Sequence, residues 1–107
     1  RAAVTYLSKT VAVEWAQYGI RVNCVAPGVI ESSGFAAYSP EARAKFSRGN
    51  PMLRHGNVQD IANAVLYLTG PSGEFVNGEL LNVDGGGILW GELWTIPKPA
   101  YFNAEQS

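Results

Sequence analysis

Val4, Leu7, Val11, Trp15 and Tyr18 follow one another at spacings of three and four, which predicts a helix that runs until Gly19. Ala2, Ala12, Val13 and Ala16 leave Lys9, Thr10, Glu14 and Gln17 as its main solvated positions, so this helix suits burial on more than one side. Ile20-Arg21-Val22-Asn23-Cys24-Val25-Ala26 then reads as a short strand, stopped by Pro27-Gly28. From Val29 to Gly56 the chain turns to Ser, Gly, Pro and Ala with scattered aromatics, a pattern expected of a lid or binding loop, with a short helix over Pro40–Phe46 inside it. Asn57, with a carboxylate three positions on at Asp60, caps a second helix predicted over Val58–Thr69. Pro71-Ser72-Gly73 breaks it and Asn77-Gly78 turns. Glu79–Asp84 is a second strand, ending in the run Gly85-Gly86-Gly87.

Helix, strand, loop, helix, strand is an α/β order and implies parallel strands joined by a crossover. Parallel sheets are covered on both faces and built from more strands than two. The helical pattern also opens at Arg1-Ala2-Ala3-Val4 with no turn or capping residue ahead of it. The chain is therefore expected to be the second half of a larger domain and inactive alone. Its tail, with Leu89, Trp90, Leu93, Trp94 and Ile96, is too apolar for a solvated linker.

The charge balance, 8 Lys+Arg against 9 Asp+Glu, includes no basic run, which argues against nucleic acid or an anionic membrane as partner. Glu14, Arg21 and Asn82 interrupt the apolar stretches well short of the ~20 residues of a membrane span. Cys24 is the one cysteine, which excludes an internal disulfide and a cysteine-cluster metal site and fits a reducing, cytoplasmic compartment. His55, alone between Arg54 and Gly56, is not expected to hold a metal.

The stretch from Arg1 to Ser32, with Pro51–Gly56 and Leu81–Gly86, resembles the C-terminal half of a short-chain dehydrogenase/reductase. Four features in series carry the likeness: the helix opening Arg1-Ala2-Ala3-Val4, the strand into Pro27-Gly28, Arg54-His55-Gly56 before Asp60-Ile61-Ala62, and Val83-Asp84-Gly85-Gly86. The fold implied is the C-terminal half of a Rossmann-like doubly wound parallel sheet over residues 1–87. Residues 88–107 form a tail, of which Ile88–Pro97 is similar to that of the branch containing trans-2-enoyl-CoA reductases and citronellol/citronellal-type dehydrogenases. The activity implied is hydride transfer between NADP or NAD and a small-molecule substrate: an enoyl thioester such as a CoA thioester, a carbonyl or an alcohol. The glycine fingerprint and the ribose selector belong to the first half of such a domain.

In this family a Tyr handles the substrate proton, and a Lys four residues later binds the nicotinamide ribose and lowers the Tyr pKa. Arg1 stands at the Lys position, so it is the candidate catalytic and ribose-binding residue. It can donate hydrogen bonds and charge but cannot release its proton. A scaffold that keeps the fold without hydride chemistry is the alternative this substitution leaves open. Pro27, Gly28, Val29, Ile30 and Ser32 match the family's nicotinamide-binding segment. Gly28 would let the backbone approach a flat ring, the Ile30 backbone would bond the carboxamide, and Ser32 would bond that amide or a phosphate.

Tyr6 with Lys9 is a weaker second pairing, and Asn23 is read as structural. The glycine run at 85–87 lacks dinucleotide-loop spacing and a following capped helix, so a close-packed turn is expected. Cys24 reads as an inert core thiol. A hydrolase using Ser8 or Ser32 with His55 would need a nucleophile elbow that the sequence lacks. Trp90 and Trp94, four residues apart, read as a packing ridge against a neighbouring subunit, which makes a homodimer or homotetramer the expected assembly.

Overall fold

The structure, a computed structural model, describes residues 2–31, 34 and 37–90. Arg1, Ser32 and the tail residues Leu93, Trp94 and Ile96 lie outside the described residues. Helix α1 spans Ala2–Trp15 and tightens into a 3-10 turn over Ala16–Tyr18. The Ile20 N–H bonds back to the Trp15 carbonyl at 3.4 Å and the Gly19 N–H to Ala16 at 3.0 Å, a Schellman closure that satisfies the last carbonyls of the helix. Next come β1 (Cys24–Pro27), β2 (Ile30–Glu31) and α2 (Pro40–Phe46), followed by β3 (Gly56–Asn57), α3 (Val58–Thr69), β4 (Leu80–Val83) and α4 (Gly87–Trp90).

β1 and β4 run parallel, pairing Cys24 with Leu80 through Pro27 with Val83. Pro27 has no N–H to give a ladder, and it stands at the last position, where the cost is smallest. The crossover between them passes through α3, which lies against both strands. β2 and β3 form a second parallel pair, Ile30 with Gly56 and Glu31 with Asn57.

The helices begin where the chain supplies caps. Asn57 Oδ1 accepts the Asp60 N–H at 3.0 Å while Asp60 Oδ2 accepts the Asn57 N–H at 2.9 Å, a reciprocal capping box that starts α3. Ser39 Oγ accepts the Ala42 N–H at 3.2 Å ahead of Pro40, which is compatible with a first helical turn because its missing N–H would have no helical acceptor. Buried apolar residues among those described are Ala12, Phe46 and Leu68, and Tyr38 meets Phe46 edge to face with ring centroids 4.9 Å apart. Val4, Leu7 and Val13 of α1 and Phe75 are exposed.

Two expectations are corrected. The strand expected over Ile20–Ala26 begins only at Cys24, because the segment before it is consumed by the 76–79 turn. Val22 N–H donates to Asn77 Oδ1 at 3.0 Å and its carbonyl accepts from Gly78 at 2.9 Å; Asn23 donates to Val76 O at 3.0 Å and accepts the Glu79 N–H at 2.9 Å. Arg21 bonds the Leu68 and Val76 carbonyls at 2.6 and 3.1 Å, so its charge also sits at the C-terminal end of α3. The described residues also contain four strands rather than two. β2 and β3 are two residues each, too short to leave a periodic trace.

Candidate active site

Because β1 and β4 are parallel, Pro27-Gly28 and Val83-Asp84 arrive side by side. Carboxyl ends of strands in open α/β sheets are where ligands bind. The Gly28 N–H extends the pairing by one bond, to Val83 O at 3.0 Å. A Cβ on Gly28 would stand 2.8 Å from Asp84 Cβ and 2.9 Å from Asp84 Cα, so the space a side chain would need is occupied by the neighbouring strand end. Close strand packing therefore requires glycine here, in addition to any approach by a ligand.

Val29 leads into β2. The Gly56 N–H donates to the Val29 carbonyl at 2.9 Å, and Ile30 pairs with Gly56. In a parallel ladder the residue flanked by such bonds keeps its own N–H and C=O on the opposite edge. The peptide groups of Ile30 thus face away from β3. Two clefts flank these strand ends. One, of about 230 Å³, is bordered by Val29, Ile30, Met52, Arg54 and Gly85; the other, of about 350 Å³, by Pro27, Gly28, Phe46 and Ile88. Val29, Asn50, Asn82 and Asp84 border both. Their volumes bracket the lower end of small-molecule sites. A third cleft lies at the opposite end of β1, lined by Arg21, Asn23 and Leu68. Arg21 Nη1 and the Asn23 amide already bond the 76–79 turn and the end of α3.

Asp84 accepts the Gly86 N–H at 3.0 Å and the Ile88 N–H at 2.9 Å, which caps α4. The expectation that no capped helix follows the glycine run is corrected: α4 follows over the described residues Gly87–Trp90. The run itself is the close-packed turn expected. Gly85 has φ 63°, and a Cβ there would stand 2.7 Å from Asn50 Oδ1.

Asn50, which no sequence motif singles out, is buried and forms the wall between the two clefts. Its one sequence signal is the Asn-Pro dipeptide, a turn initiator. Charged groups line the outer side: Arg54 meets Asp60 at 3.3 Å and His55 Nε2 meets Glu31 Oε2 at 3.1 Å. The hydrogen bond from the Asn57 backbone, seconded by Arg54, holds the Asp60 carboxyl below its ordinary 3.8.

The structure brings Pro27, Gly28, Val29 and Ile30 together at the clefts. It does not join Tyr6 to Lys9, whose ammonium donates to Gly78 O at 2.9 Å, in the turn whose Asn77 side chain also reaches α1. Ser8 donates to the Val4 carbonyl within α1, at 2.8 Å. Cys24 is partly buried in β1, and Trp90 is exposed on α4. Among the described residues no three His, Cys, Asp or Glu side chains are grouped to hold a metal, and no helix is long and apolar enough to cross a membrane.

Comparison with known proteins agrees with this architecture. The family profile described as "Enoyl-(Acyl carrier protein) reductase" matches residues 1–87. The 7alpha-hydroxysteroid dehydrogenase of Escherichia coli (strain K12) is 38% identical over 89 residues, 82% of this chain and 35% of that protein. A probable 2,4-dienoyl-CoA reductase of Bacillus subtilis (strain 168) is 38% identical over 103 residues, 92% of this chain and 38% of that one. Among solved structures, a 3-oxoacyl-[acyl-carrier protein] reductase from Brucella melitensis aligns with TM-score 0.75 and 36% identity over 79% of this chain and 32% of that chain. The chain thus spans about a third of the length of the curated relatives it matches. Its fold is the Rossmann-like fold of these proteins, and the chain belongs to the short-chain dehydrogenase/reductase family.

Proposed function

We propose that residues 1–87 are the second half of a nicotinamide-dependent oxidoreductase domain, and that 88–107 is a tail that contacts a neighbouring subunit. The cofactor, NADP or NAD, supplies the hydride chemistry; the residues of this chain bind and orient it. The observation that carries the reading is the placement of Ile30 three residues beyond the carboxyl end of β1, at the start of β2, with its peptide groups turned away from β3. That arrangement suits a planar carboxamide, which needs one donor and one acceptor. Arg1 would add hydrogen bonds to the ribose and a fixed positive charge, and Ser32 a hydroxyl to the amide or a phosphate.

The substrate side is a carbonyl, alcohol or enoyl thioester, CoA thioesters included. Relatives named for steroids and for dienoyl-CoA both match this chain, which supports that breadth and no single member of it. Ile30→Pro in the intact enzyme removes the N–H while leaving the Val29 and Gly56 bond in place. Its cofactor Kd is expected to rise about tenfold, which is about 1.4 kcal/mol. An unchanged Kd in a folded variant would remove this segment from the site.

Arg1 at the family's Lys position favours a second reading, a catalytically silent relative that binds dinucleotide. Tight NAD(P)H binding without turnover on any of the three substrate classes would select it. The exposed Trp90, Leu89 and Ile88 of α4 support a dimer or tetramer, and the single Cys24 fits a cytoplasmic enzyme. A monomer in sedimentation equilibrium at micromolar concentration would refute that assembly.

A further inference from the structure

The turn from Asn50 to Arg54 borders both clefts, which are divided by Asn50. This amide is 7% exposed, the one buried polar side chain among the described residues. Both of its ends are spent within the turn: Oδ1 accepts the Met52 N–H at 3.0 Å and Nδ2 donates to the Arg54 carbonyl at 2.7 Å. The Asn50 backbone carbonyl accepts the Leu53 N–H at 3.0 Å. Together these bonds hold Leu53 at φ 57°, a left-handed conformation that leucine adopts only when its surroundings impose it. On its other side Asn50 fills the place where a Gly85 side chain would be. Two residues beyond Arg54 the same segment reaches Gly56, whose N–H fixes the Val29 carbonyl next to Ile30.

We propose that Asn50 is a positioning residue for the nicotinamide cofactor: it locks the 50–56 segment against the glycine turn and so sets where the Ile30 peptide groups lie. The proposal rests on the cofactor reading above. An amide is the side chain that can accept from an N–H and donate to a C=O at the same time. Aspartate keeps the shape and the Met52 bond but turns an acceptor toward the Arg54 carbonyl. Alanine leaves both backbone groups without a partner.

In the intact enzyme, Asn50→Asp and Asn50→Ala are compared with wild type for the Kd and KM of NADH and NADPH, kcat at saturating cofactor, and thermal midpoint. The expected result is a rise in cofactor Kd and KM of about fivefold or more, with kcat at saturation within about twofold, since the lost interaction acts on binding rather than on the reacting atoms. A lowered thermal midpoint with unchanged Kd in the folded protein would overturn the proposal. So would failure of both variants to fold, which would make Asn50 a determinant of folding instead. A wild-type enzyme that binds neither dinucleotide would defeat the cofactor reading as well, whereas unchanged variants of a binding enzyme defeat this proposal alone.

Discussion

Gly28→Ala adds a single methyl group at the crowded point between the two main strands. Its carbon would stand 2.8 Å from Asp84 Cβ and 2.9 Å from Asp84 Cα, roughly 1 Å inside the ordinary separation of non-bonded carbons. Neither neighbour yields freely. Gly28 is tied by its N–H to Val83, and Asp84 is held by the two amides it caps. Overpacking of this kind costs about 1–3 kcal/mol, to be read as a lowered midpoint in guanidinium unfolding of the intact enzyme. The cycle with Asp84→Gly identifies the source. With the Asp84 Cβ gone, the alanine should cost less by about 0.5 kcal/mol or more, and the clash with the Asp84 backbone should preserve the remainder. A Gly28→Ala enzyme within about 0.3 kcal/mol of wild type, or strict additivity in the cycle, would refute the steric account. The same crowding makes any Gly28 variant a poor probe of cofactor contact, since it moves the strand ends before a ligand arrives.

Asp60 sets an acid limb to stability. Its folded pKa lies below the ordinary 3.8, so the unfolded chain takes up the proton first; the stabilisation is complete above that value and is lost as pH falls through the folded pKa. Asp60→Asn should flatten this part of a pH–stability curve, and an unchanged acid limb would refute the assignment. Arg21→Met removes the donor to two part-buried carbonyls, Leu68 and Val76, and is expected to cost about 1–3 kcal/mol. A loss below about 0.5 kcal/mol in denaturant unfolding would show that those carbonyls find other partners.

What could be read from the residues alone was what is encoded locally. α3 lies where its cap, Asn57 with Asp60, places it, and α2 covers the Pro40–Phe46 run. The end of β1 at Pro27 was legible because proline and glycine stop a ladder whatever surrounds them. Its beginning was not. Ile20-Arg21-Val22-Asn23 has the composition of a strand, yet Val22 and Asn23 bond the turn and its Asn77 side chain more than fifty residues away. Asn50 was invisible for a similar reason: its value comes from the carbonyl of Arg54, the amide of Met52 and the absent side chain of Gly85, and no spacing rule links the three. At Gly28 the residue was singled out for ligand approach, and the packing adds a second reason that only the partner strand reveals.

The bonds between residues 22–23 and 76–79 have one more consequence. β1 and β4 share only four paired positions, so little in the ladder itself prevents one strand from sliding along the other. A slide by one residue would exchange the faces of Val25 and Ala26 and offset the strand ends that frame the clefts. It would also translate every donor in this knot by about 3.3 Å relative to its acceptor. Asn23, which bonds Val76 and Glu79 at once, has no second position in which both bonds survive. These amides therefore act as an indexing stop at one end of the strand pair, and the alignment they impose there is carried along both strands to Gly28 and Asp84 at the other.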